Sequence, residues 1–146
     1  MKAGTVFFWK DVRRDPSGRS KGRWFVYLGK TGYGSNPLLY HIATTTTRKE
    51  HYLPGAVRAN HLCMDLRPED GGFIERCILD VDQDIYSETA ASIEENPNVE
   101  VKGTLTAPRL RDLFSLISSS RYISKPVKTD IFFCLREAGI PGIARP

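Results

Sequence analysis

An α+β fold, a small antiparallel barrel or curled sheet followed by helices, is what the order of patterns in this chain predicts. Strand-like apolar runs separated by turn chemistry fill roughly the first hundred residues. Apolar residues at helical spacing dominate only the last third. With 146 residues, 40% of them hydrophobic and 26% charged, the chain has the size and composition of one soluble domain, residues 1–146. A domain of that size buries roughly 68–70% of its unfolded surface, enough for a core without a disulfide or metal.

The first strand is expected over residues 4–9, rich in β-branched and aromatic side chains, and Asp15-Pro16-Ser17-Gly18 supplies turn chemistry after it. That leaves a long basic loop carrying Arg13, Arg14, Arg19 and Lys21. Residues 24–28 form a nearly continuous apolar run of strand length. The Gly- and Pro-containing stretch 29–37 then reads as a flexible loop, and a third strand follows from Leu38 to about Thr45. Residues 46–71 show no clear period, although 59–66 has room for a short strand or a turn of helix. Residues 73–81 read as a strand, Ser87 as the cap of a short helix through Glu95, and 99–102 as a half-exposed strand.

Leu110, Leu113, Phe114 and Ile117 share a helical face behind Thr106 as cap and Pro108 in the first turn. A second helix is expected from Pro126 to Ala138, with Val127, Ile131, Cys134 and Leu135 on one face and Gly139 and Pro141 stopping it.

The longest apolar runs fall far short of the ~20 residues of a membrane span, so no membrane association is expected. The amino terminus reads as a first strand, since Lys10, Asp11, Arg13 and Arg14 follow its short apolar run at once. Cys63, Cys77 and Cys134 are odd in number and widely spaced, which suits reduced thiols in a cytoplasmic protein. His51, His61 and Cys63 lack the paired spacing of a structural zinc site, and neither a metal nor another cofactor is expected. Gly29-Lys30-Thr31 lacks the earlier glycine of a phosphate loop, because Trp24 occupies that place. No serine stands in a nucleophile elbow. Asp80, Asp82 and Asp84 alternate and would share a face on a strand, as a solvated edge or a divalent-ion site.

The net charge of +4 is segregated along the chain. Residues 1–30 carry eight Lys/Arg against two Asp/Glu, and residues 65–100 carry two against eleven. A basic first segment suits a polyanion such as RNA. It equally suits basic and acidic segments facing each other across the fold. Within the basic part, Arg23 opens the apolar strand and Thr44 to Thr47 end the next. A guanidinium and hydroxyls brought together by neighbouring strands are what a phosphodiester site requires.

Taken in order, these residues resemble the MazF/PemK toxin family: Gly4-Thr5-Val6, Gly22-Arg23-Trp24-Phe25-Val26, Ile42-Ala43-Thr44-Thr45-Thr46, Val81-Asp82-Gln83, and Lys102-Gly103-Thr104-Leu105 before the Leu110-Leu113-Ile117 helix. The resemblance covers most of the chain. It implies an SH3-like barrel with appended helices, a homodimer, and a sequence-selective, metal-independent endoribonuclease of a type II toxin–antitoxin system. A cognate antitoxin protein would occupy the RNA groove. The chain departs from the family in having Trp24 where members commonly have proline, and Asp80 where some have arginine. Its carboxy-terminal helix also extends beyond a minimal member.

By that match, Arg23 would bind the scissile phosphate and act as acid, Thr45 or Thr46 would donate to a phosphate oxygen, and Asp82 would be a base or orient one. The substrate's own 2′-hydroxyl would attack phosphorus. Arg13, Arg14, Arg19 and Lys21, with Trp24 and Tyr33, would bind single-stranded RNA by charge and stacking. Each has a plainer reading: a strand-end cation for Arg23, β-forming residues for the threonines, a solvated edge for Asp82, core for Trp24. A non-catalytic module binding nucleic acid or protein on the same barrel is the competing function.

Overall fold

The computed structural model describes residues 1–14 and 16–146, with Arg13 and Arg14 described in backbone only. The α+β expectation holds. Among the described residues seven antiparallel strands curl into a half-barrel, and the two longest helices follow them. In chain order the elements are β1 (Thr5–Arg14), β2 (Ser20–Lys30), β3 (Leu39–Thr46), a 3₁₀ turn (Lys49–Tyr52), β4 (Cys63–Leu66), α1 (Pro68–Gly71), β5 (Cys77–Asp80), β6 (Ile85–Thr89), α2 (Ala90–Glu94), β7 (Val99–Thr104), α3 (Ala107–Ser119) and α4 (Lys125–Glu137).

The central strands β1, β2 and β3 are buried on both faces, which is why β2 reads as a continuous apolar run rather than an alternation. Val26 and Leu28 enter one core, shared with Val6, Leu79, Leu113, Ile117, Ile131 and Leu135. Phe25 and Tyr27 enter the other, with Phe7, Tyr40, Ile42 and Ile93. The first core holds the C-terminal helices: Leu110, Leu113, Phe114 and Ile117 of α3 are all buried, as are Ile131 and Leu135 of α4. Each such side chain is worth about 1.5–3 kcal/mol of burial. Helix α4 lies so close to β2 that a Cβ on Gly29 would come 3.0 Å from Cys134 Cβ and 3.3 Å from the Ile131 backbone.

Three sequence expectations change. The long basic loop after the first strand is mostly ladder, since β1 and β2 continue past the core with Arg13 paired to Lys21 and Arg14 to Ser20. Backbone pairing needs no apolar side chains, so the periodicity that ended at Trp9 did not mark the strand's end. The helix expected from Ser87 is instead β6, followed by a helix of only five residues. Strand β3 has an edge over Leu39–Ala43 whose backbone groups need partners, and β6 supplies them. The strand expected over residues 73–81 is confined to Cys77–Asp80.

Strand β3 is the junction of the sheet. Its one edge pairs with β2 over residues 40–44, while its other edge is divided, residues 39–43 pairing with β6 and Thr45 and Thr46 with β5. At the division Thr44 N–H donates to the Asp84 carbonyl at 3.0 Å. No helix among the described residues is long and apolar enough to cross a membrane.

Candidate functional site

Because β2 and β3 run antiparallel, with Phe25 opposite Thr44, the start of β2 lies alongside the end of β3. Arg23 and Trp24 therefore meet Thr45 and Thr46, and all four line one open groove of about 400 Å³. That volume is within the range of small-molecule and nucleotide sites.

The floor is aromatic and hydroxylic. The Trp24 ring packs between Phe8 and Phe73, with centroids at 5.5 and 5.8 Å, so Trp24 is part of the core's margin and part of the groove at once. The threonines divide by task. Thr44 is buried and donates its hydroxyl to the Trp24 carbonyl at 3.2 Å. Thr45 is nearly buried beside Cys77, whose thiol is pushed up to about 11 by burial against an opposing hydrogen bond from Thr45. Thr46 accepts the Arg48 amide at 3.2 Å, which leaves its hydroxyl hydrogen to donate.

The walls come from outside the ladders. The excursion between β3 and β4 contributes Thr47, Arg48, His51 and Arg58, and the turn after β5 contributes Gln83 and Asp84. Ile74 and Glu75 close the remaining side, and Lys21 stands next to Arg23. Four permanent cations, Lys21, Arg23, Arg48 and Arg58, thus face two carboxylates, Glu75 and Asp84. The balance favours an anion.

Asp82, expected beside Arg23, is turned away. Strand β5 ends at Asp80, so Asp80, Asp82 and Asp84 follow a turn rather than the alternation of a strand. The Asp82 carboxylate accepts Leu62 N–H at 2.8 Å and Ser120 Oγ–H at 2.7 Å, tying the turn to the end of α3. Asp84 is the carboxylate that reaches the groove. Asp80 is completely buried rather than an exposed edge. Of the residues expected to bind RNA, Lys21 and Trp24 line the groove. Arg19 is exposed in the β1–β2 connection and Tyr33 is fully exposed beyond the opposite end of β2; the groove includes neither. The side chains of Arg13 and Arg14 lie outside the described residues. Arg48, His51 and Arg58 had no motif to mark them, although the recurrence of basic residues and histidines over 48–61 was a usable signal.

Among the described residues no group of three or more His, Cys, Asp or Glu is gathered as metal ligands would be. Burial pushes the Cys63 thiol up to about 12 and the Cys134 thiol up as well, which makes poor nucleophiles of both. His41 contacts Ser87 Oγ through Nδ1 at 2.8 Å and Asp130 Oδ2 through Nε2 at 3.0 Å. The order serine, histidine, aspartate is that of a hydrolase triad, but the ring nitrogens are exchanged, since a triad's serine bonds Nε2 and its aspartate Nδ1. His41 is only 2% exposed and lines neither the groove nor the smaller pocket beside Cys134, so the arrangement serves to pin α4 to the sheet.

A scan against protein-family models matches none, and no curated protein matches the chain.

Proposed function

We propose that the chain is a metal-independent endoribonuclease of the MazF/PemK kind, built on an SH3-like barrel and acting on single-stranded RNA in the groove between β2 and β3. The observation that carries this reading is the convergence of Arg23, Thr45 and Thr46 from adjacent strands on a cation-rich groove of nucleotide size. In the proposed reaction the RNA 2′-hydroxyl attacks the adjacent phosphorus, the P–O5′ bond breaks, and the products are a 2′,3′-cyclic phosphate and a 5′-hydroxyl. Arg23 binds the scissile phosphate and stabilises charge on the phosphorane, while Thr46 donates its hydroxyl hydrogen to a phosphate oxygen. With Asp82 engaged by Leu62 and Ser120, His51 in the groove wall takes the 2′-hydroxyl proton and Arg23 hands a proton to the departing 5′-oxygen. Trp24, partly exposed on the groove floor, offers a surface for a base, worth roughly 1–3 kcal/mol when stacked. A homodimer and an antitoxin whose acidic segment occupies the groove belong to the same proposal.

The second reading, a non-catalytic module that binds nucleic acid or protein, is favoured by Glu75 and Asp84 in the groove wall, since carboxylates there repel phosphate. Incubating the purified chain with mixed-sequence RNA in EDTA and mapping the new ends separates the two. Cyclic-phosphate ends, lost in Arg23→Ala and His51→Ala while the fold persists, support the nuclease. Tight, salt-sensitive binding without products identifies the binder.

A further inference from the structure

The groove's two walls are loops that contribute little to either core, yet both converge on a single carboxylate that the sequence pattern marked as solvated. Asp80 is 0% exposed and stands at the end of β5, between the excursion 47–62 and the turn 81–84. One oxygen, Oδ2, accepts Tyr52 Oη–H at 3.0 Å and lies 2.6 Å from His61 Nδ1, so it binds the excursion at two points. The other, Oδ1, accepts the amides of Asp82 at 3.0 Å and Gln83 at 3.2 Å, closing the turn. The excursion's contact continues outward, because Tyr52 Oη also accepts Arg58 Nη1–H at 3.2 Å. Arg58 lines the groove.

We propose that Asp80 is the positioning residue of the groove: through Tyr52 it sets the Arg58 guanidinium in one wall, and through the turn it sets Gln83 and Asp84 in the other. Charge supports the chain of contacts. A buried carboxylate requires donors on both oxygens, and all four of Asp80's come from the segments that form the walls. Tyr52 keeps its proton for this role, since burial and the bond to Asp80 push it up to about 12 against the bond from Arg58. Arg58 is thereby directed at the groove rather than free to roam the surface, which is what a phosphate contact of defined geometry needs.

What Arg58 contacts rests on the proposed RNA reading, so two measurements on the full chain keep the ideas apart. The first is hydrogen–deuterium exchange without ligand. Asp80→Asn, which conserves size, should raise uptake in peptides covering 48–62 and 81–84 while those of β1 and β2 stay unchanged. Tyr52→Phe should loosen only 48–62. Unchanged uptake in both segments, or loosening spread evenly over the chain, overturns the proposal, and Tyr52→Phe still decides the excursion's arm if Asp80→Asn does not fold.

The second is the salt dependence of binding to a fluorescein-labelled single-stranded RNA. Losing one phosphate contact flattens the log–log slope by about 0.7. Arg58→Ala, Tyr52→Phe and Asp80→Asn should each do so, and Tyr52→Phe/Arg58→Ala no more than either alone. Additive flattening, or an unchanged slope in Tyr52→Phe, shows that Tyr52 does not act through Arg58 and refutes the positioning role. Should the wild-type chain bind no RNA, the functional reading falls and the exchange experiment alone decides Asp80.

Discussion

Salt is the perturbation that most directly weighs the groove's charge. Lys21, Arg23, Arg48 and Arg58 line it, and each phosphate neutralised on a single strand contributes about −0.7 to the slope of log K against log salt. Four contacts give about −2.8, so a fourfold rise in salt, from about 50 to about 200 mM, should weaken RNA binding about 50-fold. Arg23→Ala leaves three contacts and a slope near about −2.1, hence a loss of about 20-fold over the same range. Fluorescence anisotropy with a labelled oligonucleotide, titrated at four or more salt concentrations, measures both slopes. A wild-type slope shallower than about −1, or one that Arg23→Ala leaves unchanged, would refute the assignment of these cations to a phosphate backbone.

Backbone crowding gives a test of the fold's margin. A Cβ on Gly103 would lie 2.4 Å from the Gly71 carbonyl oxygen, so Gly103→Ala should cost about 1–3 kcal/mol and lower Tm by about 3–10 °C. Gly32→Ala, whose Cβ would meet only Asp130 Oδ1 at 4.0 Å, should be neutral or stabilising by up to about 1 kcal/mol; equal melting temperatures for the two variants would contradict the packing described. His41→Ala strands Ser87 and Asp130 and should cost about 1–3 kcal/mol by urea denaturation, with earlier proteolysis at α4. In alkali, burial holds Tyr40 and Tyr52 up to about 12 and raises Tyr27 as well. Their folded values exceed their unfolded ones, so the stability they contribute is intact below about pH 10 and is lost as pH rises through about 12. Absorbance at about 295 nm should show them ionising late in the native protein and not in guanidinium. In acid the sign reverses: hydrogen bonds from Lys10 and Lys102 hold Glu100 down to about 2, and Arg76 lowers Asp65. Their contribution, present above the ordinary carboxylate range, should fade between about pH 4.5 and 2, as midpoint denaturant concentrations would report.

The parts of the fold that were legible are those where side chains carry the period. Phe25 to Leu28, Leu110 to Ile117 and Ile131 to Leu135 announce burial by composition and spacing, and each lies in a core. The hairpin beyond Trp9 and the strand β6 were not legible, because their hydrogen bonds are backbone bonds to partners chosen by the sheet. Within the site, Arg23, Thr45 and Thr46 could be paired from sequence, since neighbouring antiparallel strands bring a start beside an end. Asp82 and Asp84 could not be told apart. They differ by two positions, which on a strand means one face and in the observed turn means opposite destinations. His51 and Arg58 belong to an excursion without periodicity, so nothing local tied them to Arg23, and the burial of Asp80 depends on donors from two segments distant in sequence.

The division of β3 between β5 and β6 separates what this chain must keep from what it is free to vary. The groove floor belongs to the ladders, so the positions of its side chains are set by strand register. The walls come from the segments between β3 and β4 and between β5 and β6, and in the first of them Leu53 and Val57 face solvent. The outer part of the first wall is therefore open to diversification in a library, whereas Val81 in the first core, Leu62 packed against it and the donors to Asp80 mark where that freedom ends. Any replacement would have to keep a tyrosine and a histidine placed to reach the buried end of β5, and a turn with two amides to offer it.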